Sequence, residues 1–241
     1  MNITYQKLLL LAALAISTGL GLQGCSATSK GTARGLASDT TRSIAPFFTR
    51  ATTSNKTPDN EGFIQRWLLL EPINKPNRSN TVFTDSYLRT AFTTGYNPGQ
   101  VIPKDGEVVS VDGQQLRWHA LESTNFNVKL YRFAYGLDKQ VYGVLFWAVT
   151  VVNSPQEMKN VRLAAGSNSA SMWWVNGKEV LLLSGDRRMV MDDAVSTRLT
   201  LNKGRNIIRG AVINGPGMSD FCVRFLDERG NPIKDLTISY E

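Results

Sequence analysis

Short apolar runs separated by turn residues dominate the hydrophobic pattern along the chain, and that pattern predicts strands. The clearest signal is Ser171-Met-Trp-Trp-Val-Asn-Gly-Lys-Glu-Val-Leu-Leu-Leu183, where two apolar runs meet at Asn176-Gly177. That dipeptide tolerates positive φ at both central positions of a type I′ turn, whose twist suits two antiparallel strands. Residues 107–111 and 115–120 flank Asp112-Gly113, a second hairpin signal. Residues 126–133 alternate in part and predict a strand, and residues 161–165 lead into the first hairpin. Residues 141–152 are apolar almost throughout, as expected of a strand at the centre of a sandwich. Further strands are expected over 196–201, 206–213, 220–226 and 236–239, with a turn at Asn202-Lys-Gly204. The run at 62–72 opens the series; Phe63, Gln65, Trp67 and Leu69 share one face, and Ile64, Arg66, Leu68 and Leu70 the other, so both faces are largely buried. Residues 73–106, with Pro76, Pro98, Pro103 and many Asn and Thr, break the rhythm; residues 84–92 predict a short helix capped by Thr84 or Asp85. Many short strands with turn signals about every 8–12 residues predict an all-β sandwich or barrel.

The first 60 residues follow a different pattern. Lys7 precedes an apolar run from Leu8 to Ile16, a basic start and a short hydrophobic region of the secretory-signal kind, too short for a comfortable membrane span. The run ends Leu20-Gly-Leu-Gln-Gly-Cys25, which resembles a bacterial lipobox with Leu22 at −3 and Gly24 at −1, although Gln23 departs from the usual small or aliphatic residue. The resemblance implies that Cys25 is the first mature residue and carries acyl chains, such as palmitate; more than one buried chain gives stable anchoring. Ser26 in place of Asp implies the outer membrane, facing the periplasm. Residues 26–60, rich in Ser, Thr, Gly and Ala, cannot bury enough apolar surface to offset ordering entropy. The expected organisation is a lipoprotein signal peptide at 1–24, a flexible tether at 25–60 and a sandwich domain at 61–241. Within the tether, residues 44–48 form an apolar island that could dock on the domain.

Charge narrows the partners. The formal charge is +7, but residues 1–60 carry six Lys/Arg against two Asp, and residues 61–241 carry 21 against 18. A nucleic-acid binder should concentrate its basic charge on the folded surface, so no nucleic-acid partner is expected. Two cysteines make no disulfide framework. Cys222, between Phe221 and Val223, reads as a buried, inert thiol.

Catalytic chemistry finds little support. The one histidine, His119, sits in the strand-like Leu-Arg-Trp-His, and no Gly-x-Ser-x-Gly elbow is present. Asp192-Asp193 and Asp227-Glu228 are adjacent pairs whose members would point to opposite faces of a strand, so they read as turn acids rather than as a glycosidase pair. No Cys/His cluster has zinc spacing. No cofactor is expected; a structural calcium ion held by loop oxygens is compatible with the sequence. For binding, Trp118, Trp147, Trp173, Trp174, Tyr135 and Tyr142 offer aromatic faces on which the C–H faces of sugars stack.

The stretch Gly166-Ser-Asn-Ser-Ala-Ser-Met-Trp-Trp-Val-Asn-Gly-Lys-Glu-Val180, followed by Leu201-Asn-Lys-Gly-Arg-Asn206 and Asp220-Phe-Cys-Val-Arg-Phe225, resembles the galactose-binding-like jelly roll appended to bacterial glycoside hydrolases and acetylxylan esterases. The likeness spans about 61–241. Asn168-Ser-Ala170 stands where the family has Asp-Asp-Gly, which puts any role of those carboxylates in doubt. The resemblance implies a jelly-roll β-sandwich that binds a glycan or docks a polysaccharide-degrading enzyme. It also implies that Ser171, Trp173 and Val175 face the core, leaving Trp174 exposed as a stacking platform unless it packs under a loop. Arg187, Asn214 and Asp220 are the accompanying polar candidates for the ligand site. The alternatives are a small acetyl esterase or glycosidase, and a structural docking module of an envelope complex.

Overall fold

The computed structural model describes residues 43–241. The expected signal peptide, Cys25 and the expected tether up to residue 42 lie outside the described residues. In chain order the elements are β1 (Phe48–Arg50), β2 (Arg66–Leu70), β3 (Ile73–Asn74), a 3-10 turn (Asn80–Val82), α1 (Asp85–Thr93), β4 (Val108–Val111), β5 (Gln114–Ser123) and α2 (Leu130–Gly136). There follow β6 (Val144–Ser154), β7 (Met158–Asn168), β8 (Ala170–Val175), β9 (Lys178–Leu183), β10 (Ala194–Val195), β11 (Leu199–Leu201), β12 (Gly204–Asn214), β13 (Asp220–Leu226) and β14 (Thr237–Ser239).

Two antiparallel sheets make an all-β sandwich. The larger runs β1-β5-β2-β6-β12-β8-β9, with β3 and β14 also paired to β6 and β4 to β5. The smaller is built on β7, which pairs with β13, β10 and β11. The long apolar run becomes the central β6, in register with β12 from Val144↔Asn214 to Ser154↔Gly204. Asn176 (φ 49) and Gly177 (φ 80) make the turn between β8 and β9, as their tolerance of positive φ predicts.

Alternation sorts β8 into two layers. Trp173 and Val175 face the space between the sheets, with Trp67, Phe146, Ile208 and Phe221. Met172 and Trp174 face the opposite side of the large sheet, which the 73–106 excursion covers through Phe83, Leu88 and Phe92. The large sheet is therefore buried on both faces, and all five tryptophans lie inside, none more than 6% exposed. Trp173 lies across Gly210 of β12, where an added Cβ would come within 2.2 Å of the ring.

Three expectations are corrected. Residues 126–133 are not a strand: Val128 makes one bridge to Phe221, and the chain then turns into α2. Leu130, Phe133 and Ala134 are its buried residues, a helical spacing. Residues 43–60, expected as the end of the tether, belong to the sandwich. Phe48 is buried and meets Phe133 edge-on, β1 pairs with β5, and Arg66 Nη1 donates to the Ser54 carbonyl (2.6 Å) and the Ile238 carbonyl (3.0 Å). The same guanidinium binds Glu122 through Nε and Nη2 (3.0 and 2.6 Å), so one buried cation ties β2, β5 and β14 to the leading segment. The strand expected over 196–201 is shortened to β11, with β10 just before it, since the Ser196 hydroxyl accepts the Leu163 amide (2.9 Å) and donates to the Thr197 carbonyl. The helix expected over 84–92 forms as α1, with the Thr84 hydroxyl capping the Tyr87 amide.

Candidate functional site

The residues singled out from the sequence do not converge. Trp174, expected to be the exposed platform, is 6% exposed. It meets Trp147 (5.7 Å between rings) and Phe92 (6.4 Å), and the Arg209 guanidinium lies 4.4 Å from its ring. The cause is α1, whose Phe92 closes over that face. Arg209 donates to Asn97 Oδ1 and the Gly99 carbonyl (2.8 and 2.6 Å), which stitches the excursion to β12; burial pushes its pKa down. Arg187 pairs with Asp193, and the neighbouring Asp192 pairs with Arg224, so the acid doublet serves two diverging ion pairs.

Asn214 and Asp220 do share one end of the sandwich, on either side of the 215–219 loop. Asn214 Nδ2 donates to the Gly217 carbonyl (2.9 Å) and weakly to that of Val141 (3.5 Å), bracing two loops from below. Its Oδ1 and the Ser219 hydroxyl are buried without a partner. Asp220 accepts from Asn127 Nδ2 (2.8 Å), while its Oδ1 has no partner. Burial pushes its pKa up, against the pull of Lys129 and the Asn127 hydrogen bond. Both residues are buried and support the surface rather than form it.

What they support is aromatic. Tyr142, 52% exposed, stands between two adjoining clefts. The first, about 310 Å³, is walled by Asn77, Arg78, Pro216 and Gly217. The second, about 280 Å³, is walled by Tyr131, Arg132, Tyr135, Val141 and Met218. The Arg132 guanidinium is stacked on Phe47 (4.7 Å) and near the Tyr131 ring (5.2 Å), and its Nε is buried without an acceptor. Asn80 holds the first cleft's rim, donating to Asp186 (2.7 Å) and the Pro216 carbonyl (3.2 Å) and accepting the Gly215 amide (2.9 Å). Tyr135 and Tyr142 were legible as aromatic faces, although Tyr142 falls in the run expected as the 141–152 strand; Asn77, Arg78, Tyr131, Arg132 and Met218 were missed, because only tertiary structure joins the 77–78 loop, α2 and the 216–218 loop.

The remaining chemistry lies elsewhere. His119 Nε2 is 3.1 Å from Glu71 Oε1, and Lys139 Nζ is 3.0 Å from Glu71 Oε2. Burial pushes the Glu71 pKa up, but the Lys139 and His119 hydrogen bonds outweigh it and hold it below the ordinary value. Cys222 is buried, and burial pushes its pKa up to about 12. Asp227 accepts the amides of Arg229 (2.9 Å) and Asn231 (2.7 Å) in a turn. Among the described residues no group of three or more His, Cys, Asp or Glu is placed to hold a metal ion, and no helix is long and apolar enough to cross a membrane.

No family model matches the sequence, and no curated protein matches it. Among solved structures, a PA14 sugar-binding domain from an RTX adhesin is similar over 72% of this chain and 96% of its own, at 12% identity and a TM-score of 0.40. The PA14 domain of the antifreeze protein MpAFP is similar over 79% of this chain and 96% of its own, at 10% identity and a TM-score of 0.41.

Proposed function

We propose that the chain is a non-catalytic glycan-binding module of the galactose-binding-like kind, lipid-anchored through Cys25 in the cell envelope, with its ligand in the paired clefts around Tyr142. The observation that carries this reading is the half-exposed Tyr142 ring flanked by an amide (Asn77) and two guanidinium groups (Arg78, Arg132). An aromatic face stacks on the apolar side of a sugar ring, while amide and guanidinium donors bind its hydroxyls. The non-catalytic part is supported by His119, whose ring nitrogen faces the Glu71 carboxylate rather than a hydroxyl or thiol. The anchor is supported by the lipobox-like Leu22–Cys25 stretch alone. In affinity electrophoresis over immobilised polysaccharides, Tyr142→Ala should abolish retardation, whereas Trp174→Ala, folded, should keep it. Equal retardation of wild type and Tyr142→Ala would remove the clefts from the site. Acyl-chain labelling lost in Cys25→Ala would test the anchor.

A further inference from the structure

Resting on that reading, we propose that the Tyr142 clefts select an acidic glycan, one whose sugars carry a carboxylate. The two clefts are walled by Arg78 and Arg132 and by no Asp or Glu. Two other surface clefts are of mixed charge: one sets Asp105 and Glu241 beside Lys104 and Arg205, and another sets Glu157, Asp227, Glu228 and Asp235 beside Lys159 and Lys234. Asp186, beside the first cleft's rim, does not line it and accepts from Asn80.

Several of the arginines elsewhere are matched within the fold. Arg66, Arg89, Arg187 and Arg224 all pair with carboxylates at 2.8 Å or closer. Arg78 and Arg132 make no ion pair among the described residues. Arg78 is exposed; Arg132 is half-buried, its guanidinium lying over the Phe47 ring (4.7 Å) and the Tyr131 ring (5.2 Å), with its Nε lacking an acceptor among the described residues. A planar cation already fixed by aromatic stacking loses little further freedom on meeting a carboxylate, and its fork of donors matches two carboxylate oxygens. A neutral sugar would leave both charges unmatched. An acidic one satisfies them while its ring stacks on Tyr142, which lines both clefts.

The test uses one ring in two charge states. Hexagalacturonate and its methyl ester share one sugar backbone and differ at the carboxyl groups, anionic in the acid and capped by a neutral methyl ester in the other. The acid form should bind the described domain at least tenfold more tightly in titration calorimetry, with an advantage that shrinks as salt rises. Arg78→Gln, at an exposed position, should lose most of that advantage by weakening binding of the acid far more than binding of the ester. Arg132→Gln should do the same if its melting temperature matches wild type. Equal binding of the two forms through Tyr142, or Tyr142-dependent binding of neutral oligosaccharides alone across a panel, overturns the acidic preference and leaves the glycan reading standing. No binding by any acidic or neutral member of the panel overturns both.

Discussion

The large sheet is buried on both faces, yet the two apolar layers are built differently. Between the sheets, strand meets strand: Trp173 packs edge-on against Trp67 (6.1 Å) and Phe221 (5.1 Å), and its indole donates to the Ser171 hydroxyl (3.0 Å). On the outer face strand meets excursion. Trp174 and Trp147 are covered by α1 and by loops pinned through Arg209. The first layer follows from alternation in β8, β12 and β13; the second requires a segment of poor periodicity to fold back over a sheet. Exposed aromatic chemistry is consequently displaced from the sheet face to the loop end, at Tyr142.

Substitutions in the two layers should separate them. Trp173→Ala should cost about 5 kcal/mol, the top of the range for a buried tryptophan, because two regular sheets cannot collapse onto the vacated space. Chemical denaturation of the described domain would measure it, and a loss below about 2 kcal/mol would mean that the inter-sheet layer is not the tighter one. Trp174→Ala should cost less, about 3 kcal/mol, since the loops above it can settle inward. The same denaturation series checks it, and equal losses at the two positions would erase the contrast.

Glu122→Gln addresses the clasp that joins the leading segment to the sheet. Its carboxyl is pushed up by burial, but the Arg66 hydrogen bond and the charges of Arg66 and Lys56 hold it below its ordinary value of 4.5. A depressed folded pKa contributes stability that is present above the unfolded value and lost as pH falls through the folded one. The variant should lose about 1.5 kcal/mol at neutral pH and converge on wild type in acid. Melting curves from neutral pH down to pH about 3 would show the convergence, and a constant gap would contradict it. The smallest effect should come from Asp220→Asn, where the sign reverses. Burial raises this carboxyl's folded pKa, so the folded state holds a proton that the unfolded chain releases, and stability falls as pH rises through the raised value. The amide should therefore raise the melting temperature slightly at neutral pH; a fall would mean that the ionised carboxylate is needed there.

Legibility in the sequence followed the same division. The β8–β9 hairpin, the central β6, β13 and the Thr84 cap could all be read, because period-two alternation, Asn-Gly and a capping hydroxyl are local signals. Residues 43–60 read as tether because their composition is polar; Phe48 and the carbonyl of Ser54 are held by Phe133 and Arg66, partners distant in sequence. Residues 126–133 read as a strand because partial alternation in a short run does not distinguish Leu130, Phe133 and Ala134 on a helix from β spacing. Trp174 was misplaced because alternation fixes only which side of the sheet a side chain takes, and what covers that side is a tertiary matter. The Tyr142 clefts draw on the 77–78 loop, on α2 with the turn after it, and on the 216–218 loop, segments far apart in sequence, so their assembly leaves no local pattern.

The interior position of every indole has a practical consequence for spectroscopy. Tryptophan emission from this domain should be blue-shifted and poorly accessible to acrylamide, and it should redden strongly on unfolding. A sugar bound beside Tyr142 touches phenol rings instead, so constant tryptophan emission during a titration would say nothing about occupancy. Heat or direct retention is the proper readout for the clefts, and fluorescence is the proper one for the fold.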